Sequence, residues 1–207
     1  MQNYLNYYKN YKKKIYSTQM KKIDLVILAG GRGSRISLMT KNNQKCSSIF
    51  NKKLFLDYIL NYYSKYNFNK IFILTGYKSE KIHRYYKNST KNFIKIECLK
   101  EKKPLGTGGA LSILKDKHIN DFILLNGDTL FEVNPVELIK LNKTSDLCTI
   151  ALTKKNFYKS NNKLSSIKLK KDLIIENKNG CYMNGGIYFF KKKILKSIKK
   201  KFLSWKT

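Results

Sequence analysis

The chain has 207 residues, enough for one substantial core and short for two domains. Hydrophobic residues make up 42%, which excludes a disordered polymer, and no stretch approaches the ~18 apolar residues of a membrane-crossing helix. The formal charge of +30 is almost all lysine, spread from Lys9 to Lys206, whereas arginine occurs only at Arg32, Arg35 and Arg84. A phosphate-reading nucleic-acid interface leans on the planar arginine fork, so the charge reads as a solvated basic surface, and no specific nucleic-acid partner is expected.

Residues 1–20 carry Tyr4, Tyr8, Tyr11 and Ile15 at helical spacing and form an N-terminal appendage, disordered or helical, ahead of one domain over 21–207. The run 23–29 is continuously apolar and ends in glycines, the pattern of a strand buried on both faces. A helix over 54–66 follows, with its tyrosines assigned to core and helix face, then a strand over 70–76. A helix over 79–88 is capped by Ser79, and 93–99 alternates as a strand. Residues 107–116 read as a helix, 121–128 as a buried strand, and 135–141 as a helix opened by Pro135. A strand over 146–152 precedes hairpin-like pieces at 164–170, 173–176 and 186–190, and a last lysine-rich helix over 191–203. Alternating strands and helices with short connections predict an α/β fold with a mainly parallel sheet. Ligands in such sheets bind beyond the carboxyl ends of the strands.

Cys46, Cys98, Cys148 and Cys181 lie far apart and form no metal-binding pattern. They read as small buried or semi-buried residues in a reducing compartment, and with no secretory h-region the cytoplasm is expected. His83 and His118 are the only histidines; neither context, a helix of exposed character and a polar turn, suggests a catalytic role.

Nine of the 11 glycines fall in four stretches, "AGGRGSR", "PLGTGGA", "NGDT" and "MNGGIYFF". The first departs from the dinucleotide fingerprint, because Ile36 stands where its third glycine belongs, and no Gly-Lys-Ser/Thr follows. Its main-chain N–H groups, freed by Gly30, Gly31 and Gly33, can close around phosphates, with Arg35 and Arg32 adding charge; a tight structural turn is the plainer alternative. Asp128 ends a buried strand and suits Mg²⁺, which takes one or two carboxylates plus substrate phosphates, or it caps the next segment. Gly106, Gly108 and Gly109 allow a flat base to approach the main chain, with Pro104 fixing the entry, or they make a helix-start turn.

In this order the four stretches resemble the sugar-1-phosphate nucleotidyltransferases, and are similar in particular to the small heptose-1-phosphate and mannose-1-phosphate guanylyltransferases. The likeness runs from about Lys21 to Phe190, with Ser34 and Leu38 standing for the usual Thr and Pro of the opening signature. The resemblance implies a Rossmann-like three-layer sandwich of the nucleotide-diphospho-sugar transferase type. It also implies transfer of a nucleotidyl group from a nucleoside triphosphate, GTP favoured, to a sugar 1-phosphate with loss of pyrophosphate. Carried over residue by residue, it puts the nucleotide on Leu28, Ala29, Gly30, Gly31, Gly33, Ser34, Arg35, Pro104, Gly106, Thr107 and Gly108. Catalysis falls to Arg35, Lys45 and Asp128, with Asp128 on Mg²⁺. Lys45 stands in the family's Pro-Lys-Pro segment, here "QKCSS". Asn126, Lys178, Asn184 and Gly185 face the sugar phosphate. The family's second metal aspartate lies beyond its sugar-side segment, but no carboxylate follows Glu176 here. A C-terminally truncated enzyme is therefore expected, the alternative being a catalytically impaired nucleotide- or nucleic-acid-binding relative.

Overall fold

The computed structural model describes residues 20, 22–31, 45–154, 167–170, 173–176 and 180–198. In chain order the strands are β1 (Asp24–Ala29), β2 (Ile49–Phe50), β3 (Lys53–Leu54), β4 (Ile71–Thr75), β5 (Thr90–Lys91), β6 (Ile94–Lys100), β7 (Phe122–Asn126), β8 (Cys148–Lys154), β9 (Ile167–Lys170), β10 (Leu173–Glu176) and β11 (Tyr182–Phe190). The α-helices are α1 (Phe55–Ser64), α2 (Glu80–Tyr86), α3 (Gly106–Ala110) and α4 (Pro135–Leu141). Short 3-10 turns occupy Lys45–Ser47, Leu111–Asp116 and Lys192–Lys196.

Strands β7, β1, β4 and β6 lie side by side and parallel, the centre that the apolar runs predict. Antiparallel strands extend both flanks: β11 joins β7 and carries β8 and β9, with β10 beyond β9, while β5 edges β6. Side chains alternate across this sheet and build two cores. Leu25, Ile27, Ile71, Ile73, Ile123, Leu125 and Ile187 face α1, α2 and α4. Val26, Phe72, Leu74, Phe122, Leu124, Tyr188 and Phe190 face Ala110, Leu111, Leu114, Leu195 and Ile198. The result is the three-layer sandwich. Met20 is fully buried in the first core; the helical spacing of Tyr4, Tyr8, Tyr11 and Ile15 lies outside the described residues.

Asp24, at the start of β1, is completely buried. Its carboxylate accepts from Asn69 Nδ2 at 2.8 Å and from the Asn120 main-chain N–H at 2.7 Å. One side chain thus ties the entry of β1 to the segments leading into β4 and β7. These bonds satisfy a charge that would otherwise be costly inside the protein.

Three expectations change. Ser79 holds the N-cap position but its side chain does not cap: its backbone is already helical (φ −84°, ψ −3°), and its buried hydroxyl meets no hydrogen-bond partner among the described residues. The helix over 107–116 is one α-turn followed by a 3-10 segment, because three glycines in its first turn make a weak nucleus and Gly106 has φ +71°. The last helix is a 3-10 turn over Lys192–Lys196, and residues after 198 lie outside the description. Asn134 does cap α4, accepting from the Val136 N–H at 3.1 Å with Pro135 behind it.

Tyr63 of α1 is buried and donates its hydroxyl to the Phe131 carbonyl at 2.7 Å, anchoring the loop after β7. Tyr63→Phe is expected to cost about 1–2 kcal/mol, a Tm fall of about 2–8 °C. A thermal melt of the two proteins checks this. Among the described residues no helix is long and apolar enough to cross a membrane.

Candidate active site

The carboxyl ends of the four parallel strands converge on one edge of the sheet. The Gly127 N–H donates to the Leu28 carbonyl at 2.8 Å, joining the end of β7 to the end of β1. A Cβ at Gly127 would stand 2.6 Å from that oxygen, so a side chain there would force the two strand ends apart. Exposed Asp128 and the pair Gly30 and Gly31 thus each follow one of these two joined strand ends. Asp128 accepts from the Thr129 hydroxyl at 3.1 Å.

The Lys45–Ser47 turn packs against the same corner. Cys46 is buried and its Sγ lies 3.6 Å from the Ala29 carbonyl. Burial, with a smaller contribution from the neighbouring Asp128 charge, pushes its thiol up to about 11. It therefore stays neutral and acts as packing under the site rather than as a nucleophile. Lys45 enters through this turn; its side chain, and Gly33, Ser34, Arg35, Arg32 and Lys178, lie outside the described part.

On the other side, Gly76 follows β4 and Glu101 follows β6, where the Glu101 N–H donates to the Thr75 carbonyl at 2.9 Å. Glu101 Oε2 accepts from the Leu105 N–H at 3.1 Å, at the start of α3. The strand end is thereby tied to the Pro104, Gly106, Thr107 and Gly108 stretch. Its other oxygen, Oε1, would lie 2.8 Å from a Cβ on Gly30 and 2.5 Å from one on Gly76. The carboxylate thus reaches across the end of β4 toward the glycine turn. Burial raises its pKa above the usual carboxylate range. Behind it, His83 Nε2 pairs with the buried Thr75 hydroxyl at 2.7 Å, so this histidine supports the strand end.

The third wall comes from β11. Its pairing with β8 shifts between Asn184 and Tyr188, where Gly186 adopts φ +77°. Gly185 lies under the Phe131 ring, which a Cβ would meet at 2.4 Å. Asn184 is engaged at both ends: Oδ1 accepts from the Gly186 N–H at 2.8 Å, and Nδ2 donates to the Tyr188 hydroxyl at 2.6 Å. Burial raises the Tyr188 pKa, while hydrogen bonds from Asn184 and Asn126 pull it back. The structure therefore brings Asn126 and Asn184 together at the Tyr188 hydroxyl, while Gly185 lies against Phe131 instead. The sequence reading missed Tyr188 and Glu101; the signals were a polar tip in an apolar run and a lone acid before two lysines and the glycine stretch.

Gly30 and Asp128 both stand beyond the carboxyl ends of adjacent parallel strands, where ligands bind in sheets of this kind. The chain belongs to the nucleotidyl transferase family, whose model matches residues 25–206. It is 33% identical over 175 residues to the D-glycero-alpha-D-manno-heptose 1-phosphate guanylyltransferase of Campylobacter jejuni, covering 82% of this chain and 76% of that one. The protein of the same name from Aneurinibacillus thermoaerophilus is 30% identical over 190 residues, with 87% and 80% covered. Among solved structures, HddC from Yersinia pseudotuberculosis complexed with GMP-PN superposes with a TM-score of 0.72 at 25% identity, covering 89% of this chain and 83% of that one.

Proposed function

We propose that this chain transfers the guanylyl group of GTP to a sugar 1-phosphate of the heptose or mannose type. The observation that supports the reading is the hydrogen bond joining Gly127 to Leu28, since Asp128 and Gly30 each follow one of the two joined strand ends. The guanylyltransferase relatives support the choice of base and sugar.

A phosphate oxygen of the sugar 1-phosphate attacks the α-phosphorus; the new P–O bond forms as the bond to the β-phosphate bridging oxygen breaks, and pyrophosphate leaves. With a second phosphate pKa of about 6 the nucleophile is already ionised near neutrality, so no general base is required. What the protein supplies is charge balance and alignment between two polyanions. Main-chain N–H groups at Gly30 and Gly31, with Gly33, Ser34, Arg35 and Lys45, would hold the triphosphate. The Leu28 and Ala29 strand end and the Pro104, Gly106, Thr107 and Gly108 stretch would bound the base. Asn126, Lys178, Asn184 and Gly185 would form the sugar-phosphate side.

Among the described residues no three acidic, histidine or cysteine side chains cluster as a protein-only metal site. A single exposed carboxylate beside a phosphate-binding turn fits Mg²⁺, which completes its shell with substrate phosphates and water. Asp128 would hold the ion, which when bound supplies positive charge to the phosphate oxygens. The wide spacing of the four cysteines along the chain supports a reducing, cytoplasmic setting.

Pyrophosphate release from GTP with heptose 1-phosphate or mannose 1-phosphate, in Mg²⁺, tests the reading. Release that depends on the added sugar phosphate is the expected result. Release that ignores the sugar, or none with either, counts against it.

A further inference from the structure

Helix α2 sends side chains to three separate elements. His83 pairs with the buried Thr75 hydroxyl at the end of β4. Tyr85 and Tyr86 donate to the two oxygens of Asp57 at 2.8 and 2.7 Å, and Asp57 also accepts from the Leu54 N–H at 3.1 Å, at the start of α1. Lys81 Nζ donates to the Ser47 carbonyl at 3.1 Å. The helix is a firm base for these bonds, because Ile82 is fully buried and Tyr86 nearly so.

The lysine bond is the unusual one. Lys100, Lys117 and Lys140 pair with glutamates, and Glu80, next to Lys81 in the chain, belongs to Lys100. Lys70 donates to the His118 carbonyl and Lys191 to those of Lys143 and Thr144, both at the end of the sheet remote from the site. Among the described residues only Lys81 sets an ammonium on a main-chain carbonyl at the corner where β1 ends. A charged donor makes this bond stronger than one between neutral groups.

The turn it holds is short. Lys45–Ser47 is three residues of 3-10 geometry, whose own hydrogen bonds are poorly aligned. Cys46 ties its middle to the Ala29 carbonyl through a thiol, a weak donor. The following residue already serves α1, since the Ser48 carbonyl accepts from the Phe55 N–H at 2.9 Å. Buried Ser47 is where α2 reaches the turn, so Lys81 sets the angle at which the turn presents Lys45.

We propose that Lys81 is a positioning residue for the transfer: it fixes the Lys45 turn through the Ser47 carbonyl and acts on the reaction only through Lys45. This rests on the nucleotidyl-transfer reading of the site. A phosphate-binding cation displaced by about an ångström costs far more rate than the lost bond suggests.

Transfer rates of the full chain, Lys81→Met, Lys81→Arg, Lys45→Met and the Lys45→Met/Lys81→Met double variant test it, alongside thermal melts. The substrates are radiolabelled GTP with Mg²⁺ and heptose 1-phosphate or mannose 1-phosphate. Methionine keeps the stem of Lys81 and removes the donor; arginine keeps a donor. Lys81→Met is expected to lower kcat/KM about 10- to 100-fold. Its melting temperature should stay within about 2 °C of the native value, because Lys81 is exposed. Lys81→Arg should restore most of the rate, and in the Lys45→Met background Lys81→Met should change nothing further. An equal loss in both backgrounds overturns the proposal, since the Lys81 charge would then act on substrate by itself. So does an unaltered rate in Lys81→Met, an arginine variant no better than the methionine one, or a loss that accompanies a clearly lowered melting temperature. Native rates in Lys45→Met remove the role of Lys45 and this proposal, and leave nucleotidyl transfer standing. Absence of transfer by the native chain with either sugar phosphate removes the reading and the proposal together.

Discussion

Asp128→Asn is expected to lower nucleotidyl transfer by about 10³-fold, near 4 kcal/mol of transition-state stabilisation, with little effect on folding. Asp128 is exposed, and its hydrogen bond from Thr129 is local, so the isosteric amide keeps the shape of the loop. An exposed change of this kind usually moves stability by less than about 0.5 kcal/mol. What disappears is the negative charge that would hold a divalent cation among the substrate phosphates. The loss should fall mainly on kcat, because the glycine turn and its basic residues would still bind the triphosphate. Pyrophosphate release and a thermal melt on the same preparation separate the two effects. Near-native turnover with an unchanged melt would remove Asp128 from the metal role.

Phe122→Ala is expected to produce the largest loss of stability, about 3–5 kcal/mol, or a Tm lower by about 10 °C. Phe122 is fully buried at the start of β7 and stacks on Phe190, with ring centroids 5.5 Å apart; Phe190 in turn stacks on Tyr188 at 5.8 Å. Truncation leaves a hole between β7 and β11 that the rigid sheet cannot close, so lost transfer energy and lost contacts add together. The defect lies at the opposite end of β7 from Asp128. Well below its melting point the variant should retain most of its turnover. Denaturant unfolding gives the stability difference, and a value below about 1 kcal/mol would mean that the site collapses around the missing ring.

The parallel centre of the sheet was legible because strands buried on both faces write unbroken apolar runs that end in glycine. The exposure of Asp128 was legible for the same reason, since it stands just beyond the end of such a run. Glu101 was not. It sits among lysines, and its meaning arises only when β6 lies beside β4 and carries the side chain across Gly76. The small β2–β3 hairpin was also invisible: its turn residues Asn51 and Lys52 both take positive φ, and lysine there replaces the glycine that normally marks such a turn. Ser79 misled because a helix-cap residue type followed by an acidic residue looks the same whether its hydroxyl caps or points inward. The polar cluster of Asn126, Asn184 and Tyr188 depends on the bulge at Gly186, which pattern reading cannot place.

Asp24 shows how a residue remote from the chemistry can imitate a catalytic one. It secures the entries of three strands whose far ends bear Gly30, Gly76 and Asp128, with the length of β1 between cause and effect. In a screen scored by product formation at one warm temperature, an Asp24→Ala clone would look as dead as an Asp128 clone. Cooling tells them apart: activity should return as the Asp24→Ala chain refolds, whereas loss of the Asp128 charge gives the same deficit at every temperature.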